Sequence, residues 1–141
     1  MTQKPRKHNT GCAVAFGVDI FGDRWTLLIL RDMLIHGKTS FSEFLDAGEE
    51  IATNILTTRL KLLEDEGIIL KKRDPRNGRK FIYRPTEKGL ALTPVIFEIV
   101  RWSARFYDLT PERVRLAQRI EDEREVYLQE IRTRVTEKAP E

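Results

Sequence analysis

The sequence predicts a mostly α-helical domain carrying one small β-hairpin, and three observations lead there. Apolar residues recur at spacings of three and four through most of the chain, as one face of a helix requires. Capping residues and glycines punctuate those runs at helix-length intervals. Between Ile68 and Tyr83 the pattern changes to two short strand-forming segments around Asn77-Gly78, the dipeptide that suits a type I′ hairpin turn. A chain of 141 residues, 40% hydrophobic and 33% charged, has room for one core of moderate size.

Taken in order, residues 1 to 10 are basic and aperiodic and are expected to form a flexible arm. Ala13, Val14, Phe16, Val18, Ile20 and Phe21 then predict a short helix that stops at Gly22, with Asp23 as cap of the next. That next helix, Arg24 to His36, is apolar almost all round and belongs in the centre of the domain. Ser40 and Glu43 form a capping-box pair at the start of a short helix through Phe41, Phe44 and Leu45. A longer helix from about Thr53 to Glu66 buries Ile55, Leu56, Leu60 and Leu63 and turns Asn54, Thr57, Thr58 and Lys61 outward, before Gly67 closes it. The hairpin comes next. Thr86 can cap a last core helix running to Trp102, in which Pro94 predicts a kink or a late start. Beyond Pro111 there is no further glycine, and no proline until Pro140. A thin stripe of Val114, Ala117, Ile120, Tyr127, Leu128, Ile131 and Val135 predicts one long helix that buries its stripe against a partner subunit, with packing on its own core as the alternative.

Several function classes are disfavoured at once. No apolar run is long enough to cross a membrane, and MTQKPRKHN is not followed by the apolar stretch of a secretory signal, so the expected location is the cytoplasm. Cys12 is the only cysteine and His8 and His36 the only histidines, which leaves no zinc site at normal spacing and only carboxylate-based metal binding open. With no convergent nucleophile and base and no glycine-rich phosphate loop, no enzyme, catalytic residue or cofactor is expected.

The charge points to a positive reading. From Gly67 to Arg84 there are seven cations, Lys71, Lys72, Arg73, Arg76, Arg79, Lys80 and Arg84, against Asp74 alone, a net +6 in a chain of net +3. Like charges so concentrated oppose folding, and a polyanion relieves them, although a solvated hairpin would have the same composition. Two helices joined by a tight turn, the second with an outward face of Asn and Thr, suit a major groove. Asn pairs bidentately with adenine, and Thr offers a hydroxyl and a methyl, so Asn54, Thr57 and Thr58 are candidate base readers. Cations on the ribbon suit phosphate or the minor groove. Arg59 lies beside the apolar seam, where a phosphate contact and a buried structural pairing are both open.

The string Gly22-Asp23-Arg24-Trp25-Thr26-Leu27-Leu28-Ile29-Leu30-Arg31-Asp32, then Phe41-Ser42-Glu43-Phe44, Leu56-Thr57-Thr58-Arg59-Leu60-Lys61-Leu62-Leu63-Glu64, Gly67-Ile68-Ile69, Tyr83 and Thr86-Glu87-Lys88-Gly89, resembles the HxlR-type winged helix-turn-helix transcriptional regulators of bacteria, relatives of the MarR group. The resemblance runs from Cys12 to about Phe106. It implies a winged helix-turn-helix domain at 11–106 and a homodimer on double-stranded operator DNA, but it says little about the segment beyond Phe106, which is longer than usual. The helical extension at 107–141 is expected to serve dimerisation because of its apolar stripe alone. The residues then expected at DNA are Ser40, Thr53, Asn54, Thr57, Thr58, Arg59, Lys61, Arg76, Asn77, Arg79 and Lys80. The chain departs from the family where Ile51-Ala52-Thr53 opens the recognition helix in place of a Ser-Pro-like start, and where an Asn-Gly hairpin replaces Pro-containing wing tips. Cys12 falls where some members carry a thiol that senses electrophiles or oxidants, so a small electrophile is a candidate effector, and a small apolar residue packed at the base of the first helix is the open alternative. The rival reading is a winged-helix adaptor for protein partners, because this fold does not by itself dictate DNA binding.

Overall fold

The order of elements is α1 (Ala13–Phe21), α2 (Arg24–Leu34), α3 (Phe41–Leu45), α4 (Thr53–Asp65), β1 (Ile69–Asp74), β2 (Asn77–Pro85), α5 (Glu87–Leu90), α6 (Thr93–Phe106), α7 (Pro111–Asp122) and α8 (Arg124–Glu137). This computed structural model describes residues 11–46 and 48–137, so the arm expected at 1 to 10 lies outside the described residues.

Burial explains the arrangement. Ile29, Leu30, Met33 and Leu34 of α2 are inaccessible, and Leu56, Leu60 and Leu63 of α4 pack with them around Phe44, Ile96 and Phe97. Each such side chain contributes about 1.5–3 kcal/mol, which makes α2 the axle of the domain. Its start is fixed by Asp23, whose carboxylate accepts from Thr26 N at 3.0 Å and from the Thr26 hydroxyl at 2.6 Å. Ser40 and Glu43 form the expected capping box on α3, and Gly67, at φ +73°, closes α4. Pro94 has the effect expected of it. α5 ends at Leu90, and α6 begins afresh with the proline in its first turn, where its missing N–H costs nothing.

The Thr86-Glu87-Lys88-Gly89 motif clamps the α4–β1 turn. Thr86 N and its hydroxyl donate to Ile68 O at 2.9 and 3.0 Å, the hydroxyl also reaches Gly67 O at 2.6 Å, and Lys88 Nζ donates to Glu66 O at 2.6 Å. A Cβ on Gly89 would lie 2.3 Å from Ile68 O, so only glycine allows the approach.

Two expectations are corrected. The first concerns the hairpin turn. β1 and β2 are antiparallel, pairing Ile69 with Pro85 and Arg73 with Phe81, but the last pair is Asp74 with Asn77, so the turn is Pro75-Arg76 and not Asn77-Gly78. Neither Asn77 nor Gly78 has the positive φ of a type I′ turn. Pro75 presets its own φ for the first central position, and Asp74 Oδ1 accepts from Arg76 N at 2.9 Å, and together these outcompete the Asn-Gly signal. Gly78, Arg79 and Lys80 are left as a bulge between the paired residues Asn77 and Phe81.

The second concerns the C-terminus. The long helix is broken at Glu123, which has φ −132° and ψ 34°. The break lets α8 fold back, and Ile120, Tyr127 and Ile131 join the main core, with the Tyr127 ring 5.2 Å from that of Phe97. Three of the seven stripe residues are therefore buried on their own domain, Ala117, Leu128 and Val135 are half-buried, and Val114 stays exposed. Helix propensity favoured continuity, but it is a few tenths of a kcal/mol per residue, whereas two large side chains reach the core through the break.

Candidate nucleic-acid interface

α3 and α4 form the helix-turn-helix, and the turn between them is held by charge. Glu49 accepts from Arg24 at 3.1 Å and from Arg31 at 3.1 Å, and Arg31 also pairs with the buried Asp32 at 2.8 Å. The sequence carries no local signal for this network, because its members meet only after folding.

On α4, Thr53, Asn54, Thr57, Thr58 and Lys61 are all exposed, so the structure brings these five expected residues onto the surface together. The Thr57 hydroxyl donates to Thr53 O at 2.9 Å and the Thr58 hydroxyl to Asn54 O at 2.8 Å. Each hydroxyl hydrogen is thus committed to the helix, leaving an acceptor oxygen and a methyl outward. The Asn54 amide has no side-chain partner among the described residues, so its full donor and acceptor edge is available. Ala52, the N-cap, offers no side-chain hydrogen bond to the first turn. Its exposed N–H groups are of the kind that phosphates occupy. Lys61 pairs with Asp65 at 2.9 Å, and that hydrogen bond raises its amine above the ordinary lysine pKa.

Two expected residues are engaged inside the fold. Arg59 Nε donates to Asp23 Oδ1 at 3.1 Å, tying α4 to the cap of α2. The Ser40 hydroxyl donates to Glu43 Oε1 at 2.9 Å in the capping box.

The wing divides its cations into two sets. Lys71 Nζ lies 4.3 Å from the Phe81 ring centre and Arg73 5.0 Å from it, so both are drawn onto the aromatic face. Arg76 leans to Asp74 at 3.7 Å but remains almost wholly exposed. Lys72, Arg79 and Lys80 are exposed and make no ion pair among the described residues. Lys72 belongs to the charge of the ribbon but not to the expected contacts, and its position on the ladder is what reveals it. Asn77 Oδ1 accepts from Arg79 N at 3.2 Å, which shapes the bulge. Cys12 is exposed at the N-cap of α1. No described residues group as a metal site, and no described helix is long and apolar enough to cross a membrane.

Residues 20–111 match the family model described as HxlR-like helix-turn-helix, well over half of the chain. The chain belongs to this family. A relative in Bacillus subtilis, the uncharacterised HTH-type transcriptional regulator YvaP, is 36% identical over 91 residues, 64% of this chain and 83% of that protein. The HTH-type transcriptional regulator YodB of the same organism is 34% identical over 99 residues, 70% of this chain and 88% of that one. Among solved structures, the redox regulator HypR in its oxidised form superposes with a TM-score of 0.61 at 29% identity, covering 70% of this chain and 100% of that one. The HxlR-type chain is a winged-helix transcriptional regulator, with DNA as the partner its family implies and with regulators, not enzymes, as relatives. The family match ends at the first residue of α7, so α7 and α8 lie beyond it.

Proposed function

We propose that this regulator binds operator DNA as a homodimer, reading base edges with the exposed face of α4 and gripping the backbone or minor groove with the wing. The observation that carries this is the pairing of two surfaces. α4 offers an unpartnered Asn54 beside Thr57 and Thr58, and Gly67 leads from it directly into a ribbon whose Lys72, Arg79 and Lys80 have no counter-charge among the described residues. Polar uncharged side chains discriminate bases, whereas point charges bind phosphate whatever the sequence. Thr53 and Lys61 flank the reading face and contribute phosphate contacts. Ser40 and Arg59 act by holding α3 and α4 in place.

The dimer surface we assign differs from the C-terminal stripe. Ile99, Trp102, Phe106 and Tyr107 on and just after α6 are exposed, as are Val14 and Val18 on α1. The Trp102 ring lies tilted against those of Phe106 and Tyr107 at 5.7 and 5.5 Å, an exposed aromatic cluster of the kind that marks an interaction surface. Two such subunits place their α4 helices on half-sites about one helical turn apart. Cys12, exposed and alone, is the thiol through which an electrophile or oxidant would act, by a small adduct or a bond between subunits. HypR and YodB support this reading by name, one as a redox regulator and one solved after diamide treatment.

The test is selection of bound duplexes from fragments of the source genome. The expected result is an inverted repeat whose affinity falls steeply with salt. Binding that shows no preference and no salt dependence would return the fold to the adaptor reading. In the same assay diamide should change operator affinity in the wild type and leave a Cys12→Ser variant unaffected.

A further inference from the structure

We infer that Arg134 on α8 is a positioning residue for DNA binding: it holds the turn from which both the helix-turn-helix and the wing are hung. This rests on the reading of α4 and the wing as the DNA interface.

The turn between α2 and α3 is tied back to α2, with His36 N donating to Arg31 O at 3.4 Å and Lys38 Nζ pairing with the buried Asp32 at 3.7 Å. Gly37 takes φ +67°, and Lys38 N donates back to Asp32 O at 3.0 Å. Arg134 arrives from the far end of the chain. Its Nη2 donates to Leu34 O and its Nη1 to Ile35 O at 3.4 Å, so a cation meets the last carbonyls of α2, where the helix dipole favours one. A Cβ on Gly37 would lie 3.1 Å from Arg134 Nε, so the guanidinium also lies against the backbone of the turn.

The reading head begins directly after this turn. Thr39 O accepts from Tyr83 N of β2 at 2.8 Å, while Thr39 N and Ser40 N donate to Glu43 Oε1 at 3.2 and 3.1 Å. A shift of the turn therefore moves α3 and the base of the wing together. α8 also reaches the chain after the wing, where Arg132 makes an exposed pair with Glu87 of α5 at 2.6 Å. One helix thus touches both ends of the segment that carries the DNA-binding elements, with Arg134, its Nε buried, as the stronger tie, and that helix lies outside the residues matched by the family.

Stability alone is a poor account of Arg134. Its Nε is buried with no acceptor among the described residues, a desolvated donor that an apolar side chain would avoid.

The experiment compares wild type, Arg134→Ala and Arg134→Lys by two readouts. Without DNA, amide exchange at Tyr83 should quicken about tenfold in Arg134→Ala while the core amide of Leu63 stays within about twofold. With the selected operator, the ratio of operator to random-duplex affinity should fall about tenfold, the scale of one lost base contact, with helix content unchanged. Lys keeps the charge but not the two-pronged donor, so Arg134→Lys should fall between the two. If Arg134→Ala does not fold, Arg134→Lys decides, and Tyr83 exchange at the wild-type rate overturns the inference. A folded Arg134→Ala protein that discriminates as well as wild type overturns the role of Arg134 alone. A wild type that binds no duplex overturns the DNA reading and this role with it.

Discussion

Asp23 joins three parts of the domain with one carboxylate. It caps α2 through Thr26 N, satisfies the wholly buried Thr26 hydroxyl, and receives Arg59 from α4. Burial pushes its carboxyl up, but the Thr26 and Arg59 hydrogen bonds and the Arg59 charge outweigh this and hold it below the usual 3.8. A carboxyl depressed in the folded state stabilises the fold above its unfolded pKa and loses that effect as pH falls through the folded value. Asp23→Ala should therefore cost about 1 kcal/mol or more at pH 7 for the lost cap, with the gap to wild type narrowing as pH falls below about 4. Denaturant midpoints of the two proteins across that range check it, and a constant gap would assign the loss to packing. Asn54 is the opposite kind of residue, exposed and holding nothing. Asn54→Ala should leave the unfolding midpoint within about 0.5 kcal/mol of wild type. Its effect belongs to recognition, a loss of about 1–3 kcal/mol in discrimination between operator and random duplex with random binding nearly unchanged. Titration of both duplexes measures this, and equal losses on the two would put the reading face elsewhere on α4.

At the scale of elements, signals that act within one helical turn were legible and those that need a partner were not. Ser40 with Glu43, Asp23, Thr86 and Gly67 were each readable as caps, because a cap involves residues within four positions of one another. The Arg24–Glu49–Arg31 network and the Asp23–Arg59 pair span 18 to 36 positions and leave no local pattern. The wing lies between these cases. Its strands were readable, but two turn signals sat side by side, and the ring of Pro75 with the Asp74 carboxylate prevailed over Asn77-Gly78. The outcome matters for binding, since Arg79 and Lys80 sit on a bulge where a type I′ turn would have placed them on a regular strand. A bulge turns side chains out of the ladder, and neither has a counter-charge among the described residues. Arg79→Ala should weaken operator and random duplex alike and lower the slope of log affinity against log salt by about one. Affinities at several salt concentrations give that slope. A minor-groove insertion would instead show as a preference for narrow A·T tracts that the substitution abolishes.

For the whole molecule, the decisive question is which apolar surface the fold buries and which it leaves. The stripe on residues 114 to 135 reads as unpartnered in sequence, because nothing near Glu123 announces that the helix breaks and returns. Once it returns, Ile120, Tyr127 and Ile131 are consumed, and ion pairs of Arg101 with Glu121 and of Arg124 with Glu98 lock α7 and α8 to α6. These salt links are solvent-exposed and individually weak, so the buried residues carry the packing. Among the large apolar residues left exposed is the aromatic cluster of Trp102, Phe106 and Tyr107 with Ile99 one turn earlier, at the end of the helix that the sequence predicts as a core helix running to Trp102. A helix face read as core but found in water is the place to expect a second subunit. Trp102→Glu puts a charge at the middle of that face, where docking would have to desolvate it, and costs the free domain little because Trp102 is already 57% exposed. The variant should therefore sediment as a folded monomer at micromolar concentration where wild type sediments as a dimer, with an unfolding midpoint for the isolated domain close to wild type. Its operator binding should fall far more than its random-duplex binding, because one half-site supplies only half of the base contacts. Substituting Val114→Glu on α7 is the control: it is exposed on the stripe first expected to dimerise, and it should leave the dimer intact. A monomeric wild type, or a Val114→Glu variant that dissociates while Trp102→Glu does not, would return the interface to the C-terminal helices.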